Sequence, residues 1–401
     1  MNDHDRRRPL FRRFALAVLL LASALPAAGQ EISLDDLIAR ARKHDANAEY
    51  MLGMRAYAGY GVPRDPGQAL RLMQRAAQRG HLEAQNTYGF FLQHGVGTAP
   101  DPERARPWFE AAAERGFPLA QVNLGWLYEH GSGVERSPAL ALEWYRKAAA
   151  QGLAEADLNA GHLLETSQPP DYAAAAVAYD HAAQQGNAQA HEKLARLIEA
   201  ERVPAARYGS ALGHYLTAAQ GDIADAQHAV ARIELGAGGA ENAHDAVQWL
   251  ERAAKQNHAA SRALLADAPT QYRIARQLAS KPPAGESEAI AWLRRSAAQG
   301  LRAAQLRLGI ALEEGRGTAR DPAAAASWYA KAAESGDPDA QYRLALLYDQ
   351  GVGVVRDTVR ARDLLGEAAA QGHEGAKERM NALLGTKLPP LPSGDPFKGL
   401  R

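Results

Sequence analysis

Apolar residues along this chain fall at helical spacing, in runs that end in paired alanines and are followed by a residue suited to a turn. Gly80 follows Ala76-Ala77, Gly116 follows Ala112-Ala113, and Gly152 follows Ala149-Ala150. Continued in phase, the series runs from His44 through Gly186, Asp222, Asn257, Gly300 and Gly336 to Gly372. The steps are 36, 36, 36, 34, 36, 35, 43, 36 and 36 residues. Self-similarity of this kind marks a tandem array in which each unit buries its apolar face only against its neighbours.

Within one period the pattern predicts two helices. The node residue ends a helix in a left-handed conformation, for which Gly is best and Asn next. About four residues later an alanine opens the next helix (Ala48, Ala84, Ala120, Ala156, Ala340). A large-small pair follows: Leu52-Gly53, Tyr88-Gly89, Leu124-Gly125, Leu308-Gly309, Leu344-Ala345. A small residue there sacrifices helix propensity and lets a second helix approach closely. A Gly-x-Gly loop comes next (Gly59/Gly61, Gly95/Gly97, Gly131/Gly133, Gly315/Gly317, Gly351/Gly353), and then an N-cap: Asp65, Asp101, Ser137, Asp321 or Asp357. Four of these caps are followed by Pro, the favoured first residue of a helix. The second helix carries a tryptophan eight residues before the node (Trp108, Trp144, Trp249, Trp292, Trp328), which its phase makes structural. A ring often follows it, as in Phe109, Tyr145 and Tyr329.

These residues resemble the Sel-1-like repeat family, a relative of the tetratricopeptide repeats. The likeness covers 46–384 and is sharpest in "AQVNLGWLYEHGSGVERSPALALEWYRKAAAQG", residues 120–152, against A-x3-LG-x2-Y-x2-G-x-GV…A-x2-WY-x-KAA-x-QG. The resemblance implies an all-α fold: a right-handed α-solenoid of tandem antiparallel helix pairs, about nine repeats of 36 residues. The expected order is a signal peptide over 1–29, a lead-in over 30–45 and a repeat block over 46–186, with three well-matched repeats and one degenerate. Degenerate repeats follow over 187–283, with an insertion near 269–285 that makes a kink or longer loop at Pro282-Pro283. A second clear block covers 284–384, and a Pro-rich tail, read as extended and disordered, covers 385–401. From Gly152 to Gly300 the glycine loop is altered ("ETSQPPDY", "EAERVPAARYG", "LGAGGAENAHD"), so either the degenerate repeats still stack or the array breaks into two blocks.

Composition narrows the function. Lys and Arg together number 46, as do Asp and Glu, so the net charge is zero. A nucleic-acid partner, which needs a basic footprint, is not expected. With no cysteine there is no disulfide, no thiolate nucleophile and no lipoprotein anchor. Arg6, Arg7, Arg8, Arg12 and Arg13 precede an apolar stretch, Phe14 to Leu25, and then Pro26 and small residues. That is the anatomy of a signal peptide cleaved after Gly29. It is shorter than the about 20 apolar residues of a spanning helix, so no stable membrane insertion is expected after cleavage, and an uncleaved anchor is the alternative. The expected location is periplasmic or secreted.

No catalytic, metal or cofactor site is expected. Gly209 to Gly213 lacks the spacing of a nucleophile elbow, and His191-Glu192 lacks the second histidine of a zincin helix, because position 195 is Ala. His94 and His130, each just before a glycine loop, have no third ligand in register and read as helix-terminal histidines offsetting the dipole. The tetratricopeptide likeness implies a partner groove lined by first-helix residues at positions three, six, ten, thirteen and fourteen after each node. Its sixth and tenth positions give the candidate binding residues Tyr50, Met54, Asn86, Phe90, Val122 and Trp126. Further along, the tenth position holds His162, Arg196 and Arg232, and the thirteenth holds Glu129, Glu165 and Glu199. The groove thus starts aromatic and becomes charged. Phe90 and Trp126 are the anchor candidates, with packing against the next repeat as the competing role. The leading function is an exported protein-interaction adaptor, and the resemblance implies roles in envelope assembly, secretion or regulation. A polysaccharide-binding protein using Tyr50, Phe90 and Trp126 is the alternative, and a cell-wall hydrolase a more distant one.

Overall fold

The computed structural model describes residues 32–281 and 285–385. The signal-peptide and proline-tail readings, and Pro282-Pro283, lie outside the described residues. Among those described there are 22 helices and no strand, grouped in two compact units that divide between Ala211 and Leu212. In the first unit α1 (Leu34–Arg42) leads into four pairs: α2 (Ala46–Ala58) with α3 (Pro66–Gln78), α4 (Leu82–His94) with α5 (Pro102–Glu114), α6 (Pro118–His130) with α7 (Pro138–Ala149), and α8 (Ala154–Glu165) with α9 (Tyr172–Gln184). Then come α10 (Ala188–Glu199) and the single turn α11 (Ala205–Tyr208). The second unit opens on α12 (Ala211–Gln220), which starts at the boundary. Its pairs are α13 (Ala224–Ala237) with α14 (Ala240–Lys255), α16 (Ala268–Leu278) with α17 (Glu286–Ala298), α18 (Arg302–Glu314) with α19 (Pro322–Glu334), and α20 (Pro338–Gln350) with α21 (Thr358–Ala370). The extra residues of the Asn257–Gly300 step include a short helix, α15 (Ala259–Ala266), ahead of α16, and α22 (Glu374–Gly385) closes the array. The fold is therefore an α-solenoid of tandem helix pairs.

Most local signals act as the pattern predicts, but the first helices open two residues before the alanine expected to start them, at Ala46, Leu82, Pro118, Ala154 and Pro338, because the cap sits on the residue next to the node. All ten node residues have positive φ, including the non-glycines His44, Asp222 and Asn257. Asp65, Asp101, Ser137, Asp321 and Asp357 each accept a backbone N–H three residues on. In the altered loop "ETSQPPDY", Asp171 caps α9 in the same way, so the departure from pattern keeps the cap. In four of the five loops the second glycine permits contact between repeats: a Cβ on Gly133 would lie 2.6 Å from the Pro102 carbonyl carbon at the start of α5.

Four pairs are clamped at one point, where the ring seven residues before the node (Phe109, Tyr145, Tyr179, Tyr329) presses on the glycine of the first helix. A Cβ added to Gly125 would stand 2.7 Å from Tyr145, on Gly161 2.6 Å from Tyr179, and on Gly309 2.5 Å from Tyr329. These rings, with Phe109, are fully buried. The tryptophan one position earlier is half-buried in four of five cases, Trp292 being the buried one, and packs on the core edge. A cation lies over several of these indoles: Lys147 and Lys331 are 4.0 Å from the rings of Trp144 and Trp328.

Repeats are joined where a buried amide on the first helix donates to an alanine carbonyl of the preceding pair, as Gln121 does to Ala113 O, while its own Oε1 accepts at 2.8 Å from Gln151 at the end of the same pair. Gln227 with Gln256, Gln271 with Gln299, and Gln341 with Gln371 repeat the contact. Where the donor position holds Arg115 or Ser335 instead, the Oε1 atoms of Gln85 and Gln305 are buried without a partner.

Two predictions follow from this packing. Gly125→Ala should destabilise the chain by about 2 kcal/mol through overpacking against Tyr145. Gly366→Ala, mid-helix with open space around it, should leave stability unchanged or raise it by roughly 1 kcal/mol. Equal melting temperatures for the two variants would refute the clamp. Ser335→Gln should supply the donor that Gln305 lacks and stabilise by about 1 kcal/mol, whereas Gln371→Ala should orphan Gln341 and lower the melting temperature. A Gln371→Ala chain that melts like the parent would refute the ladder.

Candidate functional site

The first helices α2, α4 and α6 carry the candidate binding residues at equivalent positions, in pairs one turn apart. Asn86, Phe90 and Val122 are buried, at 2%, 7% and 9% exposure. Tyr50, Met54 and Trp126 are half-buried and pack on the edge of the same core. Asn123 donates to Asn86 Oδ1 at 2.8 Å, tying α6 to α4. Phe90 lies against His94, with ring centroids 4.2 Å apart. Trp126 stacks on His130 at 4.2 Å and 20°. The two helix-terminal histidines are thus ring partners of the two anchor candidates. Burial commits Phe90 to the core, so the side chains of this set with surface to offer are Tyr50, Met54 and Trp126.

The predicted charged positions are joined to the fold. Glu129 accepts from the Tyr145 hydroxyl at 2.6 Å and faces His162 of the next repeat at 3.9 Å. Burial alone would raise its pKa, but hydrogen bonds from His162 and Tyr145 hold the carboxyl below the usual range. Tyr179 with Glu165, and Tyr329 with Glu313, repeat the 2.6 Å bond. Burial, reinforced by the neighbouring carboxylate, pushes these phenols far up. A tyrosine so held is a structural donor to its glutamate and has no accessible second charge state near neutrality. Among the described residues no group of three His, Asp or Glu is placed to hold a metal.

One device escaped the sequence reading. His81, His258 and His373 each stand one residue after a node and cap the following helix. Nδ1 accepts from Ala84, Ser261 or Ala376 N–H. Nε2 lies 2.9–3.1 Å from a side-chain oxygen of the preceding repeat, on Asn47, Asp225 or Asp339. Each ring also rests against the ring six residues after the preceding node: Tyr50, His228 or Tyr342. The caps therefore need Nδ1 unprotonated and join neighbouring repeats. The coincidence of a histidine after the node with an acid or amide after the previous one was its only sequence signal.

Burial lowers the pKa of His81, against the opposing pull of Glu83 and Asp45. A base held below its unfolded value of about 6.5 contributes stability that is present above that value and is lost as the pH falls through the folded one. The melting temperature of the parent should therefore fall on acidification from pH 7.5 to 5. His81→Asn, which keeps a cap that does not titrate, should fall less, by a difference on the order of 1 kcal/mol. Parallel pH profiles for the two chains would remove His81 from this role.

A family model described as Sel1 repeat matches residues 46–81, 82–117, 118–153, 224–258, 269–301, 302–337 and 338–373, more than half of the chain. Among solved structures, the chain is similar to a protective antigen present in uropathogenic Escherichia coli strains that displays an SLR fold. That pair is 27% identical, over 96% of this chain and 91% of that one, with a TM-score of 0.34. It is also similar to a Sel1 repeat protein from Oxalobacter formigenes, 27% identical over 92% of this chain and 99% of that one, with a TM-score of 0.35. An immunity protein from Pseudomonas aeruginosa is 21% identical over 51% of this chain and 75% of that one, with a TM-score of 0.33. No curated protein matches the chain.

Proposed function

The chain belongs to the Sel1 repeat family, whose members are generally protein-interaction scaffolds, and from that premise we propose that it is an exported adaptor holding a protein partner on the first-helix face of its first three repeats. The observation that carries this reading is the row Tyr50, Met54 and Trp126. These are two aromatics and a thioether at matching positions, packed at their bases and only half-buried. The rings supply large contact area with few rotatable bonds, and the flexible thioether adapts its shape to what it meets. The charged and polar groups around them bond within and between repeats, so this face offers contact surface rather than a reacting group. The family's fold is generally a non-catalytic scaffold, and the adaptor needs no cofactor or metal. The basic and apolar stretch over residues 6–25 supports export to the periplasm or beyond, and a role in envelope assembly, secretion or regulation fits such an adaptor.

A photo-crosslinking side chain placed at Met54, at Trp126 or at Glu143, an exposed position on α7, tests the site in the cell that makes the protein. Positions 54 and 126 should yield an adduct with the same protein, and position 143 should not. Identical adducts at all three positions, or none at 54 and 126, would refute the proposed face. In the second case, quenching of tryptophan emission by cell-envelope oligosaccharide that disappears in Trp126→Ala would favour the polysaccharide reading.

A further inference from the structure

We infer that the second unit carries a separate docking surface for an acidic polypeptide segment, formed by Arg273 and Arg276 on α16 and Arg307 on α18. The inference comes from a column of charges that is neutralised at one end and not at the other. Arg343 on α20 reaches back to Glu313 on α18 at 3.2 Å. Arg379 on α22 makes the same step to Asp349 on α20 at 2.7 Å. In both, an arginine seven residues after a node meets an acid thirteen residues after the previous one.

The same column continues into α18 and α16. The Gln299–Gln271 bond matches Gln371–Gln341, so residue 271 of α16 corresponds to residue 341 of α20. That register aligns Arg273, Arg307, Arg343 and Arg379. It also aligns Ala279 with Glu313 and Asp349, while the corresponding position of α13 is Leu235. Arg273 and Arg307 therefore stand where their successors stand, but the residues that would pair with them are Leu235 and Ala279. Arg273 and Arg307 are both exposed, and neither makes an ion pair with a described residue. Arg276, one turn beyond Arg273, lies 5.9 Å over the Tyr272 ring. Glu313 and Glu314 close α18 but are engaged, the first by Tyr329 and Arg343 and the second by Arg316. Asp267, at the N-cap of α16, accepts from the Thr270 hydroxyl and N–H, and the charge of Arg273 acts on it more weakly than these bonds do.

Charge complementarity and the neighbouring side chains together define the partner. Guanidinium groups favour paired hydrogen bonds to carboxylates. Half-buried Tyr272, Leu306 and Ile310 lie on the same helices, against the core of this unit, and suit apolar side chains between the acids. Neighbouring helices stand on the order of 10 Å apart. An extended chain rising about 3.3 Å per residue thus spans from Arg273 to Arg307 with acids about three residues apart. A nucleic acid would find no wider basic footprint on a chain of zero net charge. This surface is independent of the one proposed on the first three repeats.

The test is fluorescence anisotropy of the chain with a labelled Glu-Glu-Leu-Glu-Glu-Leu-Glu-Glu peptide and its all-Gln counterpart. The Glu peptide should bind, the Gln peptide should not, and binding should weaken with salt. Arg273→Gln with Arg307→Gln should weaken it at least tenfold, while Arg294→Gln, on the exposed face of α17, should not. Ala279→Glu removes no arginine; it gives Arg307 the acid that Arg343 and Arg379 already have. It should weaken binding several-fold at an unchanged or raised melting temperature. No binding by the parent chain, binding unaffected by Ala279→Glu and by the double variant, or equal affinity for the Gln peptide would each overturn the inference. Equal sensitivity of a polythymidine strand to the same variants would reduce the surface to an unselective anion site and overturn the polypeptide assignment.

Discussion

The fold depends on the contact between a buried side chain on the second helix of a pair, a ring in four of them, and a residue with little or no side chain on the first. With Gly125 facing Tyr145, Gly161 facing Tyr179 and Gly309 facing Tyr329, there is no room for even a methyl group. The two helices of a pair approach as closely as their backbones allow, and the ring fills the space between them. Its hydroxyl then reaches the end of the first helix and donates to Glu129, Glu165 or Glu313. One side chain thus sets both the separation of the helices and their register. A glycine costs a helix about 1 kcal/mol of propensity, and burial of an aromatic side chain outweighs that cost.

Stacking of one pair on the next relies on polar ties laid between alanines. Small residues bury little apolar area each, so the interface leaves room for amides that must find partners when removed from water. The glutamine ladder and the histidine caps are two solutions to that requirement. They differ in consequence: an amide bond is indifferent to pH, whereas the His81 cap, whose imidazole burial holds neutral, weakens on acidification.

The faces left by this construction differ between the two units. In the first, aromatic and thioether side chains sit on an edge whose charges are already paired. In the second, Arg273 on α16 and Arg307 on α18 keep the arginine of the column, while the positions of its acid hold Leu235 and Ala279. The departures from the repeat pattern thus coincide with unspent charge. A position that no longer holds two repeats together is free to hold something else.

The sequence by itself determined the period, the two helices in each repeat, the left-handed residues that end them and the capped starts. These are local properties, expressed within a few residues through backbone sterics and one hydrogen bond. They remained legible even where the motif decays, as Asp222 and Asn257 show. Burial was less legible: Phe90, read as an anchor, is core, and the tyrosine after the tryptophan fills the space that the tryptophan borders. Only the tertiary structure decided which polar side chains are consumed and which remain. His81 meets Asn47, and Arg343 meets Glu313, each pair about one repeat apart in sequence and adjacent only once the helices stack. Charge and amide content can be counted along a chain, but neutralisation is a matter of distance, and those distances arise only from the packed register of neighbouring repeats.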